Sequence, residues 1–437
     1  MRVEQGETKV TEQTGCAENR EESLRRRQPA DTAPDGSPWL IICVSHLEWT
    51  ESLFQRPQQV MQRLSQKHSV LFSYPVALRE WGGKLLRGES ARQRLAISEN
   101  LTVLRYRSLL PGWGGRLPQF QRFNDWRFRR ALCRAARRVP PHRRILWYYY
   151  PQHLELIDVL KPAAVVYECM DNYTAMFSRK NDPAQADTFA ALRRDEPVLL
   201  QRADAVFYGA RTLMDERLPY LAKSHHFPTG VDVNHFARAG DSGGSVPHEI
   251  GAIRRPILGY WGAVDHRIDF ELLAYAALAR PDWSFVLLGP LVALRRETID
   301  HFLRLPNVHW LGPKLYIDIP DHAQVFDVCL LPFKVSDEGR YLNPTKTLEY
   351  LATGKPVLST RIPDVERFYA DTVEITDTRE EFVEVARRLL ERDTAEKRAR
   401  RVARAENCSW ESMVNAMWSI VDQTICRKAA EAGQGRR

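Results

Sequence analysis

Short apolar runs, each followed by a helical stretch, recur along this chain in two separate series. The first begins at 39–44 (WLIICV) and continues with a helical stretch from Pro57 that puts Val60, Met61 and Leu64 on one face. A second apolar run follows at 69–74. Runs without polar alternation suit strands covered on both faces, and strand–helix–strand order makes each unit a βαβ crossover. Further strands are predicted at 101–106, 145–150, 164–168 and 205–208, with a helix over 184–203. The stretch from Gly240 (GDSGGSVP) reads as a linker. A second series then places strands at 257–261, 284–288, 308–311, 328–331 and 356–359. Helices are predicted between them at 270–279, 293–302, 317–324 and 345–352. One long charged helix over 380–404 and an apolar-faced one over 410–421 close the chain. The expectation is an α/β protein of two doubly wound, Rossmann-like domains.

The boundaries expected are a disordered lead-in over 1–36, a first domain over 37–236, a linker over 237–255 and a second domain over 256–406. A crossing helix over 407–426 and a disordered tail over 427–437 complete the layout. The 437 residues and 44% hydrophobic content allow two sizeable cores. The longest apolar run is far short of the ~18 residues that suggest a membrane span, and the amino terminus lacks an apolar signal core. Seven cysteines are scattered without any CxxC pair, which argues against disulfide and zinc frameworks and suits a reducing cytoplasm.

In open parallel sheets, ligands gather beyond the carboxyl ends of strands. The most informative turn lies in GRYLNPTKTLEYLATGKPV, Gly339 to Val357. Asn343 is placed to N-cap a helix whose first residue is Pro344, and Gly354 to end it. The free amides at such a helix start attract an anion, and Lys346 adds a charge that opposes the helix dipole until an anion relieves it. Glu349 is placed to accept hydrogen bonds from vicinal hydroxyls while the amides hold a phosphate. A capped helix in a Rossmann-like half needs no ligand, so a purely structural reading stays open here. Gly262, after the strand at 257–261, permits close backbone approach to a diphosphate or simply a tight turn, with Arg267 a phosphate partner or a surface residue. Two first-domain turns add candidates. His46 and Arg56 lie in the loop after the first strand, His46 to orient an acceptor hydroxyl and Arg56 to touch phosphate or an anionic acceptor. Asp171, after the strand at 164–168, is either a site carboxylate or a helix N-cap.

The Asn343 stretch resembles the nucleotide-sugar signature of GT-B glycosyltransferases, in which an opening glutamate is followed by a second eight positions on. Glu349 matches the second, and Tyr341 stands where the first would be. The pattern is similar to that of a bacterial subgroup of group 1 (GT4-like) enzymes that make surface polysaccharides, teichuronic-acid-type transferases included. Phe54-Gln-Arg-Pro-Gln58, Gly230-Val-Asp232, Gly259-Tyr-Trp-Gly-Ala-Val264 and Phe326-Asp-Val-Cys-Leu-Leu-Pro-Phe333 agree in order, so the resemblance covers about 38–415. It implies a GT-B fold whose last helix returns toward the first domain. It implies that a sugar is moved, with retention, from a UDP- or GDP-linked donor to a glycan or lipid-linked acceptor in cell-surface polysaccharide biosynthesis. Glu349 would bind the ribose and Tyr341 would take the place of the sugar-contacting acid. Leu342, Asn343, Lys346 and Thr347 would line the donor, Gly289 would flank it, and Lys314 would lie where the nucleobase is read. His46 and Asp171 would serve catalysis. No DxD-type metal motif stands at a suggestive strand end, so neither metal nor other cofactor is expected, and leaving-group charge falls to the helix start, Lys346 and Arg267. A nucleotide-sugar epimerase on the same fold and a catalytically degenerate nucleotide-sugar-binding subunit are the rival readings.

Between Arg105 and Arg144 stand 12 arginines and one acid, Asp125, interleaved with Trp113, Phe120, Phe123, Trp126 and Phe128. This mixture suits an anionic membrane surface more than nucleic acid, for which no recognised module is present, and a solvated basic helix is the bland alternative. The expected place is the cytoplasm, peripheral on the inner face of the plasma membrane.

Overall fold

In the computed structural model, residues 37–49, 54–76, 94–107, 118–173, 183–240, 245–292, 294, 296–336 and 341–434 are described. The expected lead-in at 1–36, Trp113 and Gly339 lie outside these, as does the side chain of Phe120.

The apolar runs form strands buried on both faces. β1 (Leu40–Val44) is covered throughout: Ile41 and Cys43 face one hydrophobic cluster, and Leu40, Ile42 and Val44 face another. Successive strand side chains point to opposite faces, so a run without polar residues commits the strand to a sheet interior. β1 sits in an eight-stranded sheet with β2 (Ser69–Val76), β3 (Arg94–Ala96), β4 (Leu101–Arg107), β5 (Arg144–Tyr148), β6 (Ala164–Cys169), β7 (Ala205–Tyr208) and β8 (Ser224–His226). The order is β3-β4-β2-β1-β5-β6-β7-β8, and only the edge strand β3 is antiparallel to its neighbour. A second, wholly parallel six-stranded sheet contains β9 (Ile257–Trp261), β10 (Ser284–Leu288), β11 (Val308–Trp310), β12 (Val328–Leu331), β13 (Val357–Thr360) and β14 (Glu374–Thr376), in the order β11-β10-β9-β12-β13-β14. In each sheet the order reverses beside the central strand, β1 or β9. That reversal opens a crevice at the strands' carboxyl ends.

The crossing between domains differs from expectation. The Gly/Ser stretch at 240–247 was expected to link them, within a linker over 237–255. Instead Val231 and Phe236 already belong to the second domain's core, and helices Val233–Ala237 and His248–Gly251 flank that stretch. The chain crosses at Val231 and returns at Ser409, and the two passes bridge each other. Val231 N donates to the Cys408 carbonyl (2.9 Å) and Trp410 N to the Val231 carbonyl (3.3 Å). Backbone pairing of the two passes carries the crossing, with Gly230 leaving room for the Trp410 ring beside it.

The predicted 380–404 helix is two helices, Arg379–Arg392 and Ala395–Glu406. Asp393 is extended, and the Thr394 side chain caps the second helix by accepting from Lys397 N at 3.2 Å. The last helix, Trp410–Gln434, returns to the first domain, burying Trp410, Met417, Trp418 and Val421 against its sheet. It runs beyond 426, so most of the expected disordered tail is helical. Lys428 pins that extension through its ammonium to Asp204 at 2.7 Å.

Candidate active site

The carboxyl ends of both sheets face one cleft. From the first domain, Arg56 begins the helix Arg56–Leu64 after β1, Asp171 follows β6, Gly209 follows β7 and Thr229 follows β8. The opposite wall is made by the turns after β9 (Gly262), β10 (Gly289) and β11 (Lys314), and by the start of the helix Thr345–Ala352. Gly262 has φ +130° and Gly289 φ +145°, a region closed to ordinary side chains. The turns are nested: Gly262 N donates to the Leu288 carbonyl and Gly289 N to the Gly312 carbonyl, both at 2.8 Å. A Cβ on Gly289 would lie 1.8 Å from the Gly262 carbonyl oxygen, and one on Gly262 would lie 1.8 Å from Lys346 Cε. The Lys346 side chain therefore lies directly across the bare Gly262 backbone. At Gly289 the obstacle is backbone, so nothing larger than glycine fits; at Gly262 a side chain would have to displace Lys346 and adopt a strained positive φ.

Among the described residues no carboxylate ion-pairs with Lys346. Burial pulls its pKa down and nearby Glu349 pulls it back up. Burial pushes the Glu349 carboxyl up, opposed by the Lys346 charge and by the Trp261 indole, whose Nε1 donates to Oε2 at 2.8 Å. Trp261 is held by Phe236, stacked at 5.8 Å between ring centroids and 10° between planes. One oxygen of Glu349 is thus engaged while Oε1 is left for a ligand, beside a cation and a helix start.

The helix start is one residue later than expected. Pro344 occupies the cap position and accepts from Thr347 N at 2.9 Å, so no side chain caps the helix. Asn343 lines the cleft but does not N-cap. Its Nδ2 reaches Asp364 at 3.5 Å and its Oδ1 is buried without a partner. Leu342 also lines the cleft. Thr347 is fully buried, does not line the cleft, and leaves its Oγ1 unpartnered. Tyr341 likewise stands off the cleft wall. Its hydroxyl donates to Glu216 Oε2 across the domain boundary at 2.7 Å, and its ring packs on first-domain core. The position eight before Glu349 is a bridge between domains.

Arg267 lines the cleft paired with its neighbour Asp265, Nη2 to Oδ2 at 2.6 Å and Nε to Oδ1 at 3.0 Å. That pair and the Asp171 carboxylate raise its pKa against burial. Lys314 is tied to Glu249 at 2.7 Å, which also takes His322 Nε2 at 2.9 Å. Arg56 is paired with buried Glu168. His46 is enclosed by Tyr150 (4.7 Å) and Tyr173 (5.2 Å) and does not line the cleft. Burial lowers its pKa to about 4, so the ring is neutral at neutral pH.

Sequence reasoning missed Tyr316, which lines the cleft and stacks on His235 at 4.5 Å and 10°, and Phe236 beside Trp261. Their only signal was aromatic character next to strand ends, which the core shares. Missed too was Asp364, buried at the start of the helix Pro363–Tyr369, whose carboxylate accepts from the amides of first-domain Arg211 (2.7 Å) and Thr212 (3.2 Å). In sequence it is an ordinary first-turn acid.

Residues 255–392 match the family Glycosyl transferases group 1. The "Putative teichuronic acid biosynthesis glycosyltransferase TuaH" of Bacillus subtilis (strain 168) is 28% identical over 261 residues. The match covers 57% of this chain and 64% of that relative, so under two thirds of the relative is spanned. Sucrose-phosphate synthase (tll1590) from Thermosynechococcus elongatus superposes with a TM-score of 0.64 at 15% identity, covering 89% of this chain and 100% of that one. An alpha,alpha-trehalose-phosphate synthase (UDP-forming) from Burkholderia vietnamiensis gives 0.64 at 14%, over 90% and 98%. Anabaena Alr3699/HepE in complex with UDP-glucose gives 0.55 at 13%, over 90% and 100%. Among the described residues no helix is long and apolar enough to cross a membrane, and no cluster of metal-ligating side chains occurs. Residues 255–392 are a group 1 glycosyltransferase domain, and the chain that carries them takes the GT-B fold.

Proposed function

We propose that this chain transfers a glycosyl group from a nucleoside-diphosphate sugar, with UDP as the nucleotide, to a glycan acceptor. The observation that carries the reading is the second-domain wall: Lys346 lying across side-chain-free Gly262, at a helix start, with Glu349 Oε1 beside it. The diphosphate sits against the amides at the start of Thr345–Ala352 and the Lys346 ammonium, which absorb the charge that develops on the leaving phosphate oxygen. Glu349 accepts from the ribose hydroxyls. Gly289 and Leu342 flank the donor, and Asn343 offers an acceptor oxygen to it. UDP is named because HepE is described in complex with UDP-glucose. The acceptor meets the donor from the first-domain wall, near Asp171, and transfer retains the anomeric configuration, as the family likeness implies. Neutral His46 serves as an indirect support of that wall, held by its two tyrosines. The test is a thermal-shift screen across UDP, GDP, ADP and dTDP. UDP is expected to stabilise the native chain and to lose that effect in Glu349→Ala; no shift with any nucleotide sinks the donor assignment.

The acceptor is proposed to be lipid-linked, in cell-surface polysaccharide biosynthesis, with the chain held on the anionic inner face of the plasma membrane. The helix Pro118–Ala136 supports this. It buries Phe128, Leu132 and Ala136 and exposes Arg122, Phe123, Trp126, Arg130 and Arg134 along the opposite stripe. Phe123 and Trp126 stack at 5.9 Å, and Arg130 lies over the Trp126 ring at 5.6 Å. Two aromatics exposed by 43% and 45% among arginines, with no acid on the stripe, match an interface of headgroups over acyl chains. Sedimentation with anionic vesicles is expected for the native chain and its loss in Phe123→Ser/Trp126→Ser/Arg130→Glu. Unchanged sedimentation of that variant refutes the membrane assignment.

A further inference from the structure

Arg56 is only 6% exposed, yet it is one of the residues lining the cleft on the first-domain wall, with Gln55, Asp171 and Thr229. Its guanidinium is fixed from two sides: Nε donates to Glu168 Oε1, and Nη1 donates to the Pro228 carbonyl at 2.9 Å. Glu168 is itself fully buried, and its other oxygen accepts from Trp147 Nε1 at 2.9 Å. Neither partner can be exchanged without leaving a buried charge unmet. The third nitrogen, Nη2, is buried with no acceptor at all. A buried donor left in that state keeps its desolvation cost unmet, which an oxygen delivered by a ligand would remove.

Three arginines converge on this corner, each paired with an acid: Arg56 with Glu168, and Arg211 and Arg367 with Asp215. Ser224–His226 (β8) ends at His226, whose pKa is pushed down to about 3, first by burial and then by Arg211, Arg56 and Arg367 together, with Asp215 offsetting only part. Asp171, the acid on the same wall, acts across the cleft on Arg267. The diphosphate is already served by the opposite wall, so a fixed arginine here addresses a different anionic group. We propose that Arg56 determines specificity for a substrate whose transferred or receiving sugar carries an anionic oxygen cluster, a carboxylate or a phosphate ester, which bonds to Nη2. Arginine suits this role because its planar fork can hold Glu168 through Nε and the Pro228 carbonyl through Nη1 while Nη2 keeps a donor in reserve. The inference rests on the glycosyl-transfer reading above and deepens it.

The experiment is calorimetric titration of the full chain in two arms. In the first, UDP is held saturating while glucuronate, glucose 6-phosphate and glucose are compared. In the second, UDP-glucuronate is compared with UDP-glucose. One arm is expected to show at least about tenfold tighter binding of a charged probe than of glucose or UDP-glucose, the scale of one charge-assisted bond. The arm that responds identifies which sugar bears the charge. Arg56→Lys keeps a cation beside Glu168 but lacks Nη2, and the paired change Arg56→Met/Glu168→Gln leaves no buried charge behind. Both are expected to abolish the preference and keep native affinity for UDP. Equal binding of charged and neutral probes in both arms, or a preference that survives in the variants, overturns the role of Arg56 alone. Failure of the native chain to bind UDP overturns the donor assignment first, and this inference with it.

Discussion

Replacing Asp364 by Ala should loosen the contact between the domains rather than either domain's interior. Asp364 belongs to the second domain but caps the first-domain helix Arg211–Asp215, accepting from Arg211 N (2.7 Å), Thr212 N (3.2 Å) and Thr212 Oγ1 (2.8 Å). The helix's own cap residue, Ala210, has no side-chain acceptor to substitute. Neighbouring bridges add little, since Arg367 and Asp215 meet at 3.1 Å with both half exposed, and such pairs contribute about 0–1 kcal/mol. Three donors losing a carboxylate would cost about 1 kcal/mol or more each, against which the relief of burying Asp364, whose pKa is raised chiefly by desolvation, must be set. The net is about 2–3 kcal/mol, or roughly 30- to 150-fold in the local opening equilibrium. Amide hydrogen exchange of the 211–215 segment measures this directly, because opening exposes those two amides. Asp364→Asn, which keeps an acceptor oxygen, should fall between native and Ala. Exchange at Arg211 and Thr212 that stays within about threefold of native in Asp364→Ala would falsify the view that this carboxylate latches the two domains.

The two sheets were legible because burial on both faces leaves an uninterrupted apolar run, as in Leu40–Val44 or Ser284–Leu288, which periodicity exposes directly. Local chemistry was legible too where a single residue type is forced: Gly262, Gly289 and Gly354 all have positive φ. What stayed hidden depends on which domain a side chain meets. Tyr341 was read as part of the donor wall because it sits eight before Glu349, yet the distance it spans is to Glu216, remote in sequence. The crossing near Val231 is hidden because glycine and serine report backbone freedom, whereas the real crossing is a backbone bridge between two passes remote in sequence. His46 follows a strand as a ligand-binding histidine would, but the tyrosines that enclose it come from distant loops. The difference at Asn343 is smaller: asparagine and proline in series suit two cap registers one residue apart, and the helix takes the later one, with Pro344 at the cap.

Two substitutions test the donor wall itself. Gly289→Ala sets a methyl 1.8 Å from the Gly262 carbonyl and forces alanine to φ +145°, so UDP affinity should fall at least tenfold by titration as the nested turns separate. Lys346→Ala should lower the rate of labelled-sugar transfer about 10²–10³-fold, the scale of losing one fixed donor to developing charge, and a native rate would remove Lys346 from the leaving-group site. The pH dependence of UDP-glucose binding joins the two charged groups and carries a sign of its own. Burial raises the Glu349 pKa above 4.5, so on acidification it loses its carboxylate earlier than an exposed acid does, and affinity should fall on an acid limb that begins above 4.5. Burial lowers the Lys346 pKa below 10.5, so the alkaline limb should lie below that value. Stability runs the other way. Between 4.5 and the raised pKa the folded chain holds more protons than the unfolded one, so Glu349's contribution to stability grows as pH falls. Between the lowered Lys346 pKa and 10.5 the folded chain holds fewer, and that contribution grows as pH rises. Binding should therefore decline at both limbs while these two groups favour the fold, which separates loss of the site from unfolding. Glu349→Gln should flatten the acid limb and leave the alkaline one, and an acid limb that persists in that variant assigns the titration to another group.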